Sequence, residues 1–394
     1  MLLFKIKFFL KLFLVNFIIL YFLLYLIELG INFKNNKLFK KTRLYYLNTL
    51  QEKNPNDKIY LNFGVYKLLD KSNKILLLSG YENSKILLCL DEKNNPVYYF
   101  SDSNGFNNKI NDKNDFLLVG DSYVQGMCVQ NENNLTAQFK KFSYQTNSLA
   151  VGGNGPLLEL ATFKEYRDQY NYDNVILFIT PSNDYLDLSN EIKNDILLNY
   201  LNKENFIKNL NDNENKKIKI SILDAFFGNK TQRILNDSLS VYHFNLKSLV
   251  NSIEDLFKNQ KNLKKNYDYL FNKELDIIFI KVLNEFINSL EKEKKKLYIV
   301  FNAVNPDILY PKSKDAEYLK NLLKKEKLNQ LKNFLKNKQI SYFDFNKYIL
   351  SKYNEDNIST MFKRIDGHWD HYTEKGFYEI SEQIHLNLLN NNIN

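Results

Sequence analysis

Residues 116–126 read FLLVGDSYVQG. Four apolar residues end on a glycine, an aspartate and a serine. That is the pattern of a buried strand that turns sharply at its end. Working outward, similar short runs lie at 145–151 (QTNSLAV), 174–180 (NVILFIT), 297–303 (LYIVFNA) and 340–346 (ISYFDFN). Helical spacing separates several of them. Phe279, Leu283, Phe286 and Leu290 recur at three- and four-residue steps, and further helices are expected from about 133, over about 315–337 and from about 376. Strands alternating with helices imply a parallel sheet with both faces covered. The expected fold is α/β, a three-layer α/β/α sandwich, over 113–394. A stretch at about 188–290, rich in Asn, Lys and Leu, reads as a mostly helical insertion.

The rest of the chain is different. Residues 58–63, 74–79, 85–90 and 97–100 are short apolar runs between turn-like clusters. They predict a small β-rich segment over 31–112. Residues 8–27 (FFLKLFLVNFIILYFLLYLI) are apolar or aromatic apart from Lys11 and Asn16. Twenty such residues suffice as a helix for a hydrocarbon core of ~30 Å, and no small-residue cleavage site follows. Residues 1–30 are therefore expected to be a single-pass membrane anchor. Basic residues flank both ends, so charge bias sets no orientation.

Composition closes off several classes. Hydrophobic residues make up 44% and charged residues 25% of 394, which excludes a wholly disordered chain, a collagen-like repeat and a polytopic membrane protein. Two cysteines exclude a disulfide framework and a thiolate zinc site. Cys89, inside a predicted strand, reads as a buried thiol, and Cys128 has no spacing partner. The net charge of +9 comes with runs such as 291–296 (EKEKKK), which read as solvated helix faces. No nucleic-acid motif accompanies it, and no nucleic-acid partner is expected. Neither GxxxxGK[ST] nor GxGxxG occurs, and no cofactor or metal is expected.

Glycine is scarce, twelve in all, yet five fall at 120, 126, 152, 153 and 155. In open parallel sheets, sites form at the carboxyl ends of strands. Just past the predicted strands come Gly120-Asp121-Ser122, Gly152-Gly153-Asn154-Gly155, Ser182-Asn183-Asp184 and Asp366-Gly367-His368. A hydroxyl, a glycine turn, a carboxamide and an Asp/His pair thus reach one edge, and together they suit acyl transfer through a serine ester. Serine needs a base to take its proton, the imidazole needs a carboxylate to orient it, and the oxyanion needs fixed N–H donors. Ser122 is the candidate nucleophile, His368 the base, Asp366 its orienter, and Gly153 and Asn183 the oxyanion donors.

VGDSYVQG, the glycine turn, SND and DGHW, in that order, resemble the SGNH (GDSL-type) esterases and acyltransferases. The lead-in SDSNGFN at 101–107 resembles membrane-anchored bacterial members. The resemblance covers about 116–190 and 297–385. It implies a flavodoxin-like fold and the same roles for Ser122, Gly153, Asn183, Asp366 and His368. The family's usual Asp-x-x-His is replaced by Asp366-Gly-His368. The related alginate-acetylating enzymes use Asp-x-His-Trp, which brings transferase chemistry into view. The family also carries a Gly five residues after its His. His371 meets that spacing with Gly376, whereas His368 does not, so His371 is the alternative base. The expected activity is hydrolysis of acyl esters, acetyl above all, on a glycan or lipid. The alternatives are O-acetyl transfer onto a cell-surface polysaccharide and a noncatalytic, membrane-tethered binding module. The resemblance places the catalytic domain in the periplasm or outside the cell. Substrate choice is expected to reside in 188–290 and the β-rich segment.

Overall fold

The computed structural model describes residues 13, 15–27, 59–62, 64, 76–91, 95–109, 113–225, 269–270, 272–311, 314–365 and 368–389. The chain divides into two compact units, Met1–Asn48 with Asp224–Leu263, and Thr49–Leu223 with Lys264–Asn394.

In the first unit, residues 15–27 are helical and present apolar side chains such as Phe17, Ile18, Phe22 and Ile27 to the outside. At 1.5 Å per residue that helix is about 20 Å long, short of the ~30 Å hydrocarbon core. No helix among the described residues is long and apolar enough to cross a membrane. This corrects the expectation of a single-pass anchor over 1–30, and with it the membrane partner and the localisation drawn from them. The apolar run was read as one continuous span, and the described helix covers only part of it.

The second unit is built on a five-stranded sheet. Its strands are β4 (Asn114–Val119), β5 (Thr146–Ser148), β6 (Tyr172–Ile179), β7 (Lys296–Phe301) and β8 (Ser341–Asp344). The order is β5-β4-β6-β7-β8, and every pairing is parallel. The central strands are apolar on both sides. Leu117, Leu118, Val119, Val175, Ile176, Ile299 and Val300 are all buried, as a sheet covered on two faces requires. Helices α1 (Ser122–Gln125), α2 (Leu135–Lys141), α3 (Pro156–Tyr166), α4 (Pro181–Glu191), α5 (Asp195–Asn202) and α6 (Lys273–Lys292) follow in chain order, then a helical stretch over 314–337, α7 (Phe345–Lys352) and α8 (Glu374–Ile384). On one side α3 packs with α4, α5 and α6, and elsewhere α2 packs with α8. The sheet and its flanking helices form a three-layer α/β/α architecture.

The helices start where capping chemistry allows. The Asn272 side chain accepts from Glu274 N–H, and α6 then buries Leu275, Phe279, Val282, Phe286 and Leu290 along one face. Thr373 caps α8 by accepting from Gly376 N–H. Helix α3 has Pro156 in its first turn and no side-chain cap of its own. Instead Glu191 of α4 accepts from Gly155 N–H at 2.7 Å and Leu157 N–H at 2.9 Å. A carboxylate from a neighbouring helix thereby satisfies the orphan donors. The stretch expected to be a helical insertion contributes α5, a helix over 213–225 and nearly all of α6. Residues 226–268 lie outside the described residues.

A second, three-stranded sheet has the order β1-β2-β3, from Ile59–Leu61, Lys85–Leu90 and Pro96–Phe100. The expected strand at 74–79 is absent where it is described. Residues 76–79 are buried but irregular, and the chain there pairs across a loop, Gly80 N–H donating to the Gly105 carbonyl at 3.2 Å. The cysteine reading also changes. Cys89 on β2 and Cys128, just past α1, are joined by a disulfide with their Cα atoms 5.4 Å apart. A 39-residue separation carries no spacing signal, so composition alone did not reveal the pair.

Candidate active site

The order of the main sheet, in chain sequence 2-1-3-4-5, reverses beside β4. Crevices at such points, outside the carboxyl ends of the strands, are where ligands bind in open α/β sheets. Ser122 lies there. After Val119 the chain turns at Gly120, where a Cβ would come within 2.5 Å of Val124 Cγ2 and 3.3 Å of Phe178 Cβ. Only glycine fits so close an approach. Asp121 caps the single turn α1 by accepting from Tyr123 N–H at 2.9 Å. Ser122 is its first residue, and Gly126 ends it in the left-handed region at φ +81°. The sequence reading expected a sharp turn at Gly120 but looked for a helix only from about 133, and so did not foresee the helical form of α1.

The imidazole against Ser122 belongs to His371. Its Nε2 lies 2.6 Å from Ser122 Oγ, across 249 residues of chain. His371 sits on a hairpin of β9 (Phe362–Ile365) and β10 (His368–Tyr372), antiparallel, with a register shift between Trp369 and Tyr372. A chain of contacts supports it. Its ring packs on Tyr123 at 4.8 Å between centroids, and Tyr123 in turn meets Tyr372 at 4.9 Å. The Tyr372 hydroxyl accepts from Ala303 N–H, just past β7, at 3.0 Å. Gly376 then lets α8 close on the hairpin. A Cβ there would come within 2.4 Å of the Met361 carbonyl oxygen and 2.9 Å of Tyr372 Cβ. The His-to-Gly spacing that favoured His371 therefore has a steric cause. His368, preferred from the sequence, opens β10 opposite Ile365. Its side chain and residue Asp366 lie outside the described residues.

The two expected oxyanion donors are near but not equivalent. The glycine turn presses on the serine. A Cβ on Gly152 would stand 3.5 Å from Ser122 Cβ and 3.2 Å from Gln125 Oε1. Gly152 N–H is already used, donating to Gln125 Oε1 at 2.9 Å. Gly153 follows at φ +90°. The Asn183 amide donates to Asp121 Oδ2 at 2.9 Å and reaches Asp187 Oδ2 at 3.5 Å. Asn183 is thus tied to the residue before Ser122. Ser122, Gly153, Asn183 and His371 are all half-buried, while Asp121, Gln125 and Gly152 beneath them are buried.

Sequence reasoning missed the acidic floor of this site. Asp121, Glu159, Asp184, Asp187 and Glu191 are all buried. Burial pushes the Asp121 carboxyl up, against the Asn183 and Tyr123 hydrogen bonds and the attraction of His371. Burial, then repulsion from Asp121, Glu191 and Asp187, drives Glu159 well above the usual carboxylate range. Asp184 is raised in the same way, by burial and then by Glu159, Asp121 and Asp187. Glu191 is raised by burial to about 7 despite its backbone donors. Among the described residues no group of three or more His, Cys, Asp and Glu could hold a metal ion.

No protein-family model and no curated protein matches the chain. Among solved structures, the chain is similar to a salicylyl-acyltransferase, SsfX3, from a tetracycline biosynthetic pathway, with a TM-score of 0.33 and 10% identity. The match covers 74% of this chain and 58% of that one, so the chain spans little more than half of its length. At that similarity the likeness adds nothing to what the strand order and the site geometry carry by themselves.

Proposed function

We propose that the chain is a serine-dependent ester hydrolase of the SGNH type, acting on acetyl or other short acyl esters of a glycan or lipid. The observation that carries this is the 2.6 Å approach of His371 Nε2 to Ser122 Oγ at the switch point of a flavodoxin-like sheet. As neutral imidazole, His371 accepts the Ser122 proton through Nε2 while Oγ bonds to the acyl carbon. The carbonyl π pair moves onto oxygen. The Gly153 N–H is the donor proposed to face that oxyanion; the Asn183 amide, bound to Asp121, is proposed to join it by turning its other N–H from Asp187. Collapse breaks the ester C–O bond, and the imidazolium returns its proton to the leaving alcohol. Water then attacks the acyl-Ser122 ester by the same steps in reverse. Transfer differs only in that a sugar hydroxyl replaces this water. Asp366 is proposed as the carboxylate that steadies the imidazolium, and buried Asp121 adds attraction from beneath.

The test is labelling by a fluorophosphonate, followed by mapping of the adduct. A single adduct on Ser122, lost on denaturation, is expected. Folded protein that takes no probe overturns the reading.

A further inference from the structure

Gln125 occupies the last position of the nucleophile turn, three residues from Ser122, and is only 3% exposed. Its amide does two things at once. Oε1 accepts from Gly152 N–H at 2.9 Å, and Nε2 donates to Asn62 Oδ1 at 3.0 Å. Asn62 follows β1 of the three-stranded sheet and turns its own amide back, Nδ2 lying 3.5 Å from Gln125 Oε1. The same Asn62 Oδ1 accepts from the Tyr99 hydroxyl of β3 at 3.2 Å. Asn62 N–H is fixed to the Leu87 carbonyl of β2 at 2.9 Å. The Gln125 carbonyl accepts from Asn107 Nδ2 at 3.3 Å. All three strands and the loop after them therefore converge on one glutamine, which passes the constraint to the glycine turn.

We propose that Gln125, clamped by Asn62, is the positioning residue of the oxyanion turn, and that the three-stranded sheet is thereby a working part of the active site. This rests on the serine acyl-transfer reading above. With Gly152 N–H held by Gln125, the next N–H of the turn, that of Gly153, is the one left to meet an oxyanion. Its direction is set by the peptide that Gln125 fixes. Ser122 and Gln125 share one helical turn, so nucleophile and donor are referenced to the same rigid element. The amide bonds of Gln125 and Asn62 run to the glycine turn and to each other, apart from the Ser122–His371 hydrogen bond. Their loss should spare the proton transfer and weaken stabilisation that exists only in the transition state.

The experiment measures kcat, KM, the pH profile and Tm of the full chain with p-nitrophenyl acetate for Gln125→Ala, Gln125→Glu, Asn62→Ala and the double alanine variant. Gln125→Ala should lower kcat by about 10²-fold, the scale for one oxyanion donor, with KM and the apparent pKa of the profile unchanged. Gln125→Glu keeps an acceptor for Gly152 N–H and should recover at least tenfold of that loss. Asn62→Ala should cost about tenfold in kcat, and the double variant should be no worse than Gln125→Ala, since both act through one link. Should Gln125→Ala fail to fold, Asn62→Ala and Gln125→Glu decide by the same criteria. Wild-type turnover with kcat unchanged in the Gln125 and Asn62 variants overturns this inference alone. So do losses that multiply in the double variant, or that appear only in Tm and KM. Wild-type protein that neither turns over the ester nor takes a fluorophosphonate overturns the underlying reading, and this inference with it.

Discussion

The five-stranded and three-stranded sheets of the second unit both reach the turn Ser122–Gln125 and contribute in opposite ways. The five-stranded sheet carries proposed catalytic groups just past its strand ends, Ser122 after β4 and Asn183 after β6. The three-stranded sheet supplies no reactive group. It reaches the site through amides, Asn62 to Gln125, and through the Cys89–Cys128 disulfide beyond the nucleophile turn. A third support comes from β9, where Lys363 donates to the Cys128 carbonyl. In the proposed site the chemistry thus sits at the end of regular, apolar strands, and the polar contacts proposed to align it come from a segment whose own strands are short.

The contrast can be broken most severely on the catalytic side. Ser122→Ala should lower turnover of an activated ester by at least ~10³-fold, as loss of a triad member does, while near-UV circular dichroism stays that of the wild type. Asp366→Asn should cost a similar order in kcat, measured on the same ester. Retained turnover would remove Asp366 from the proposed triad.

On the supporting side, the effect should appear first in stability. Closing a 39-residue loop is worth about 4 kcal/mol by the chain-entropy estimate. A Cys89→Ser/Cys128→Ser variant should show a loss of that order in urea unfolding, with a smaller loss of activity. Equal stability of the two proteins would mean that the disulfide constrains nothing.

The acidic floor makes a pH prediction. Glu159, Asp184 and Glu191 have carboxyls raised in the folded state by burial. Their unfolded counterparts lose protons near pH ~4. Above that, the unfolded chain binds fewer protons than the native one, so stability falls as pH rises, up to about 7 for Glu191. Tm should therefore be higher at pH 5 than at pH 7, and Glu159→Gln should flatten the slope. A Tm that climbs over this range would show that these groups are ionised in the folded protein.

The smallest effect is local. Gly126 has φ +81° and its Cβ would meet Asn134 Cβ at 2.5 Å. Gly126→Ala should cost about 1–3 kcal/mol, read by urea unfolding, and more in activity than Gly64→Ala, where among the described residues a Cβ meets the Gly152 carbonyl oxygen at 3.4 Å.

Legibility followed the same division. The apolar runs at 116–119, 174–180 and 297–303 each fall on a strand of the main sheet, because burial on both faces leaves a continuous apolar signature, while 340–346 falls on the half-buried edge strand β8. The turns after 116–119 and 145–151 announced themselves through glycine, at 120 and at 152, 153 and 155, in a glycine-poor chain. What escaped depends on contacts between distant residues. The run at 74–79 is as apolar as a strand, yet where described it is buried without strand pairing. The hairpin bearing HWDHY is polar and bulged, and no periodicity marks it. Asn62 and Tyr99 belong to no motif, Gln125 within VGDSYVQG drew no role from it, and Cys89 and Cys128 share no spacing. Nor could composition show five buried carboxyls gathering beneath one turn. His371 did leave a trace, its spacing to Gly376, but the adjacent Asp366 pulled the choice toward His368.

That choice is the most direct point of test. The rate of inactivation by a fluorophosphonate at neutral pH should be compared for wild-type, His371→Ala and His368→Ala proteins, each shown to be folded. The account predicts that His371→Ala slows the reaction by ~10³-fold or more, whereas His368→Ala stays within about tenfold of wild type. A large loss at His368 with His371→Ala close to wild type would contradict it.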